Sequence, residues 1–217
     1  MNKKIQSSIV LFTLAITTAI QPMEIVSKKV ALTEEQKQNL ELKIETGKTI
    51  KQKAIIKTCL TMWLYDKIKN SAKDIKKDPK LGIGVAEFGI YEKIPNQNQN
   101  RFLDDYETTI QKILKNESHH AYLSNFEIYS QHGNKGYGPV LWQKATEYVA
   151  TTYPLVKILT LQAIPLLTRN NALSEEKLYQ FYKNRGAQQL VNEDGDASSQ
   201  FYYDLTQLKK QLEAYHE

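Results

Sequence analysis

Gln131-His132-Gly133-Asn134-Lys135-Gly136-Tyr137-Gly138-Pro139 decides how this chain is read, because it stands between an apolar strand-like run and a long amphipathic segment. Gly133, Gly136 and Gly138 lack a Cβ, so the turn can take unusual φ angles and an anion can approach the backbone closely. A proline where a helix begins loses only a donor that the first turn does not use. The helix that follows leaves its first N–H groups unpaired, and its dipole favours negative charge there. The phosphates of a nucleotide or of coenzyme A are natural ligands for such a turn.

Working outward, Ala121 to Ser130 reads as a strand entering the turn, and Pro139 to Thr152 as a helix leaving it, with Leu141, Ala145, Tyr148 and Val149 on one face. Val156 to Leu161 alternates and is β-rich, which predicts another strand. Ser174-Glu175-Glu176 caps a helix through Lys183 that Gly186 closes. Phe201 to Leu205 is a late strand before a charged C-terminal helix. Upstream, Thr33 caps a helix start. Leu40 to Ile44 alternates, so a strand competes there with a continued helix. From Thr49 to about Ile75, the spacing of Ile55, Ile56, Cys59, Leu60, Trp63, Leu64 and Ile68 predicts one amphipathic helix ended by Asp78-Pro79. Leu81 to Ile90 is a strand, Pro95 to Asn100 a polar loop, and Phe102 to Leu114 a further helix. Helices and strands alternate throughout, which predicts a single mixed α/β (α+β) domain.

Composition narrows the function classes. The chain has 217 residues, 41% of them apolar, and a formal charge of +5 carried mostly by lysine. With Arg101, Arg169 and Arg185 as its arginines, it has no arginine-rich reader of nucleic acid, and a mild lysine excess is a solvated surface. Cys59 has no second cysteine for a disulfide, metal or redox pair and reads as a small buried thiol in a helix. His119-His120 and His132 have no cysteine or acidic cluster beside them to complete a metal site, so no metal is expected. The N-terminus, with basic Asn2-Lys3-Lys4, uncharged apolar Ile9 to Ile20 and small Thr17-Thr18-Ala19, resembles a secretory signal peptide over residues 1–19. The alternatives are a membrane anchor or a buried helix of a cytoplasmic chain. Residues 20–30 then read as a linker, 31–210 as the domain and 211–217 as a tail, and no stretch of the mature chain reaches the length of a membrane span.

Two glycine-loop classes do not fit. A Walker A loop needs Gly-Lys-Ser/Thr at its end, where this chain has Gly138-Pro139-Val140. A dinucleotide fingerprint needs a third glycine three residues beyond Gly136-Tyr137-Gly138, and none is there. The run Ala121 to Gly138 instead resembles motif A of the GNAT N-acetyltransferase superfamily, a strand followed by Arg/Gln-x-x-Gly-x-Gly/Ala opening a helix. Leu178-Tyr179-Gln180-Phe181-Tyr182-Lys183-Asn184-Arg185-Gly186 resembles the closing helix of that family, which ends in Leu-Tyr-x-x-x-Gly-Phe. The two elements span residues 120–190, and residues 30–118 would supply the first strands and helices.

The resemblance implies a mostly antiparallel central sheet flanked by helices, and acetyl transfer from acetyl-CoA to an unidentified amine, small molecule or protein, by direct attack on the thioester. Gly133, Asn134, Lys135, Gly136, Tyr137 and Gly138 would hold the pyrophosphate. A splayed strand at Phe126, Glu127 and Ile128 would pair with the pantetheine arm and polarise the thioester carbonyl. Tyr182 would be the general acid and Glu127 a candidate base. The chain departs from the family pattern where Gly133 replaces Arg or Gln, Gln162 replaces a base glutamate, Ala187 replaces phenylalanine, and Ile164 to Asn171 forms an insertion. Gln131 or Lys135 is then the nearest replacement for the missing phosphate contact. The alternative function is a catalytically lapsed acyl-CoA-binding protein or exported effector on the same fold.

Overall fold

Thr33 opens the described chain as its sequence predicts. Its hydroxyl accepts from the Gln36 N–H and its own N–H donates to Gln36 Oε1 at 2.8 Å, a reciprocal cap that starts α1 (Glu34–Gln38). The computed structural model describes residues 32–52, 55–93, 113–114, 117–165, 173–191 and 195–214. The leader, the linker through residue 30, the Asn/Gln loop and most of the helix expected over Phe102 to Leu114 lie outside the described residues; Ile113 and Leu114 are helical.

Seven strands make one sheet: β1 (Leu40–Gln52), β2 (Ile55–Asp66), β3 (Gly84–Lys93), β4 (His119–Ile128), β5 (Ile158–Gln162), β6 (Gln188–Val191) and β7 (Ala197–Asp204). Their order is β1-β2-β3-β4-β5-β7-β6. Every neighbouring pair is antiparallel except β4 and β5. The class is therefore mixed α+β, as the alternating pattern predicts, and the sheet is mostly antiparallel, as the resemblance implies. The one parallel pair needs a crossover, because parallel strands cannot be joined by a tight turn. Helix α3 (Tyr137–Thr152) supplies it. The remaining helices are α2 (Ala72–Lys77), α4 (Glu175–Lys183) and α5 (Leu205–Ala214), the last running past the boundary expected at residue 210.

The helix expected from Thr49 to Ile75 is not there. That stretch is the end of β1 and all of β2, and only Ala72–Lys77, stopped at Asp78-Pro79, is helical. Its buried side chains Leu60, Met62 and Leu64 recur every second residue, the period of a strand with one face inward. The helical spacing in the sequence arose because the other face also carries apolar residues, among them Trp63 and a buried Tyr65. Cys59 sits on this strand, half-buried, and not in a helix. β6 is a strand that the sequence pattern does not announce.

One sheet face builds the core. Met62 of β2, Phe88 of β3, Leu123 of β4, Leu161 of β5 and Phe201 of β7 meet Leu141, Trp142, Ala145 and Val149 of α3. Each such leucine withdrawn from water contributes about 1.5–3 kcal/mol. Helix α5 closes the same face through Leu205, while Lys209 Nζ donates to the Pro154 and Val156 carbonyls, both at 2.7 Å.

Candidate active site

The sheet parts at the C-terminal half of β4. Pairing with β5 runs from His120↔Ile158 to Leu123↔Leu161 and stops, while pairing with β3 continues to Ile128↔Gly84. β5 meanwhile leads its Gln162 to Gln200 of β7. Residues 124–128 therefore have a strand on one side only. The divergence begins at a bulge: Leu123 pairs with Phe88 and Asn125 with Glu87, so Ser124 is the extra residue. Its hydroxyl donates to the Glu87 carbonyl at 3.1 Å. One inserted residue reverses the alternation beyond it. Ala121 and Leu123 belong to the helix-facing core, and Phe126 and Ile128 pack against that same core, which leaves Asn125 and Glu127 on the opposite face.

After β4 the chain makes one 3-10 turn, Ser130–His132, and then the glycine loop. The three glycines have different tasks. Gly136 caps α3 with φ 81°, a left-handed conformation costly for any residue with a Cβ. Gly133 has φ −56° and needs no such freedom; the loop's other left-handed residue is Asn134, at φ 58°. Gly138 lies inside the first turn of α3, where an added Cβ would stand 3.3 Å from the Phe181 ring. The helix begins at Tyr137, two residues before the expected start, so Pro139 occupies its third position. The N–H groups of Gly136, Tyr137 and Gly138 have no acceptor within the helix, and Pro139 has no N–H to contribute. Lys135 Nζ donates to the Gln131 backbone carbonyl at 2.8 Å, so the lysine that might replace the missing phosphate contact is held within the loop. Behind the loop, a cavity of about 130 Å³ is lined by Asp66, Lys69, Asn70, His132, Lys135 and Tyr137. His132 stands edge-on to Tyr137, and burial together with Lys135 and Lys69 holds its imidazole below the usual range.

Tyr182, on α4, is 4% exposed. Ser174 caps this helix, and Gly186 at φ 83° turns the chain out of it. The Tyr182 ring is enclosed by Phe126 at 6.4 Å, Trp142 at 5.3 Å, Phe181 at 5.1 Å and Phe201 at 5.8 Å. Burial pushes its phenol far above the usual range, and the nearby Arg185 draws it partly back. Among the described residues no hydrogen bond ends on its hydroxyl. Phe181 reaches from α4 to Gly138 and to Phe126, 5.7 Å between ring centroids, so α4, β4 and the start of α3 converge on one aromatic cluster.

Phe126, Ile128, Gly138 and Tyr182, all named from sequence, are thus brought together. Glu127 is not among them: it is half-buried, opposite Val85, on the other face of the sheet. Gln162 shares that face; it is exposed and donates to Ser199 Oγ at 3.3 Å. The cleft thus has an aromatic side that carries Tyr182 and a polar side that carries Glu127 and Gln162. Trp142, Phe181 and Arg185 line the first side and were not singled out by sequence. Trp142 follows Gly138 by one helical turn, the one signal that pointed to it.

His120 is buried and stacked on Tyr91 at 4.9 Å, while the His119 ring meets Ser118 Oγ at 2.9 Å. Among the described residues no group of three or more His, Cys, Asp or Glu is placed to hold a metal ion, and no helix is long and apolar enough to cross a membrane. Neither a protein-family model nor a curated protein matches the sequence.

Proposed function

We propose that this cleft binds acetyl-CoA and passes its acetyl group to a primary amine, the chemistry of the GNAT N-acetyltransferases that the sequence resembles. One observation carries the reading: β4 loses its β5 partner in the half that leads to the glycine loop, whose helix-start N–H groups have no acceptor within the helix, and beside the same gap stands a buried tyrosine whose hydroxyl has no hydrogen-bond partner among the described residues. The unpaired edge of residues 124–128 offers backbone donors and acceptors to the amide-bearing pantetheine arm, as one strand offers them to another. The N–H groups of Gly136, Tyr137 and Gly138 take the diphosphate.

The amine nitrogen attacks the thioester carbonyl carbon, the carbon–sulfur bond breaks, and the sulfur leaves as a thiolate. A free backbone N–H of the β4 edge stabilises the oxyanion formed on the way. Tyr182 faces the sulfur. Its raised pKa keeps it protonated through the physiological range, so it donates a strong hydrogen bond to the thiolate as charge develops. The proton lost by the amine leaves on the polar side, to Glu127 or to water, and an equivalent proton completes the thiol of the product. Gln162 cannot accept that proton, which puts the base burden on Glu127.

Calorimetry with acetyl-CoA, followed by a thiol-release assay over polyamines, aminoglycosides and peptide N-termini, tests the proposal. Binding with amine-dependent thiol release supports it. Binding without release under any acceptor identifies an acyl-CoA-binding module, and absence of binding overturns it. Export, as the leader suggests, would require a destination that contains the cofactor.

A further inference from the structure

We propose that Arg185 supplies the cationic contact to the cofactor diphosphate that the glycine loop itself lacks, reaching it from the end of α4 across the ring of Phe181. The inference rests on the acetyl-CoA reading above and extends it to a residue outside the loop.

Arg185 is half-buried, and taking a guanidinium out of water is costly unless an anion faces it. Among the described residues it has no carboxylate partner. Its guanidinium lies 3.7 Å from the centroid of Phe181, and one of its nitrogens donates to the Phe181 carbonyl at 2.5 Å. A stacked, singly bonded guanidinium keeps most of its five donors for another group. Phe181 fixes where those donors stand, because the same ring that Arg185 covers touches the Cβ position of Gly138 in the first turn of α3. One phenyl ring therefore separates the guanidinium from the free N–H groups at the helix start. A diphosphate seated on those N–H groups lies at the ring's edge, where a planar fork can grip two of its oxygens.

The loop's own cation does not take this place. Lys135 Nζ is held at the Gln131 carbonyl and lines the cavity with Lys69 and His132. Gly133, where an arginine would extend from the loop, has no side chain. The cation is thus transferred from the loop to the neighbouring helix.

The test compares acetyl-CoA with acetyl-pantetheine, which keeps the thioester and lacks the diphosphate, on the full chain and on Arg185→Gln and Arg185→Ala. Glutamine preserves a donor towards the Phe181 carbonyl and removes the charge. The expected result is a loss of acetyl-CoA affinity of about 10- to 100-fold in both variants. Acetyl-pantetheine affinity should change by less than about twofold, and the salt dependence of acetyl-CoA binding should become shallower. Equal losses for the two ligands would mean that Arg185 only holds the helix in place, and overturn the proposal. Unchanged acetyl-CoA binding in a folded Arg185→Gln would overturn it while leaving the acetyltransferase reading intact. A wild-type protein that binds neither ligand would end both.

Discussion

Single residues separate what this site needs from what it merely contains. Gly136 needs its left-handed backbone, so Gly136→Ala should destabilise the protein by about 1–2 kcal/mol. Gly133→Ala should be neutral or mildly stabilising, because its φ is ordinary and an added Cβ meets only the Ser130 carbonyl, at 3.4 Å. Urea titrations of the two variants check the difference, and equal effects would show that the loop is shaped otherwise. Tyr182→Phe keeps the ring and its aromatic enclosure and removes only the hydroxyl. Thiol release should slow by about 100-fold with acetyl-CoA affinity unchanged. A variant that turns over at the wild-type rate would exclude Tyr182 from the chemistry.

Among the elements, β4 decides most. Its bulge at Ser124 carries Phe126 and Ile128 onto the face where α3 and α4 lie, and it falls where the β5 pairing ends. Deleting Ser124 should make the ladder with β3 continuous, Leu123↔Phe88 followed by Asn125↔Glu87, which keeps Phe126 and Ile128 on the core face and removes the kink that parts β4 from β5. The deletion should then still melt cooperatively but lose acetyl-CoA binding, whereas Ser124→Ala, at an exposed position, should melt within a few degrees of wild type and keep it. If the deletion binds acetyl-CoA like wild type, the bulge does not set the cleft. The strand, the loop and both flanking helices were legible in the sequence because each has local punctuation: three glycines and a proline, a serine cap, a closing glycine. The bulge was not legible. An extra residue in a strand is defined by what pairs opposite it, and Glu87 and Phe88 are distant in sequence. β2 was misread for a related reason: apolar residues on both faces hide a period of two.

Across the whole molecule the buried phenols couple stability to pH. Burial raises Tyr182 above the range of a free phenol, and burial with the Glu175 hydrogen bond raises Tyr179 to about 12. Tyr65, Tyr122, Tyr153 and Tyr203 are raised too, burial being the largest cause in each. The unfolded chain loses its phenolic protons near pH 10 while the fold keeps them, so above that pH the unfolded state binds fewer protons. Stability is therefore complete below about pH 10 and declines as pH rises towards the folded pKa values. Melting temperatures between pH 8 and 11 should fall above pH 10, and Tyr182→Phe should reduce the slope. A flat profile, or an equal slope in the variant, would contradict the burial of that hydroxyl. By itself the sequence determined the glycine turn, the crossover helix α3 that follows it and the capped helix α4, all set by contacts within a few residues, while Tyr182 became a candidate through the resemblance. Only the tertiary structure decided that β4 parts from β5, that Glu127 faces away from Tyr182, and that Arg185 stacks on the Phe181 ring packed at Gly138 while Lys135 is held at the Gln131 carbonyl. Those are relations between segments far apart in sequence, and they exist only once strand pairing and core packing have placed the segments side by side.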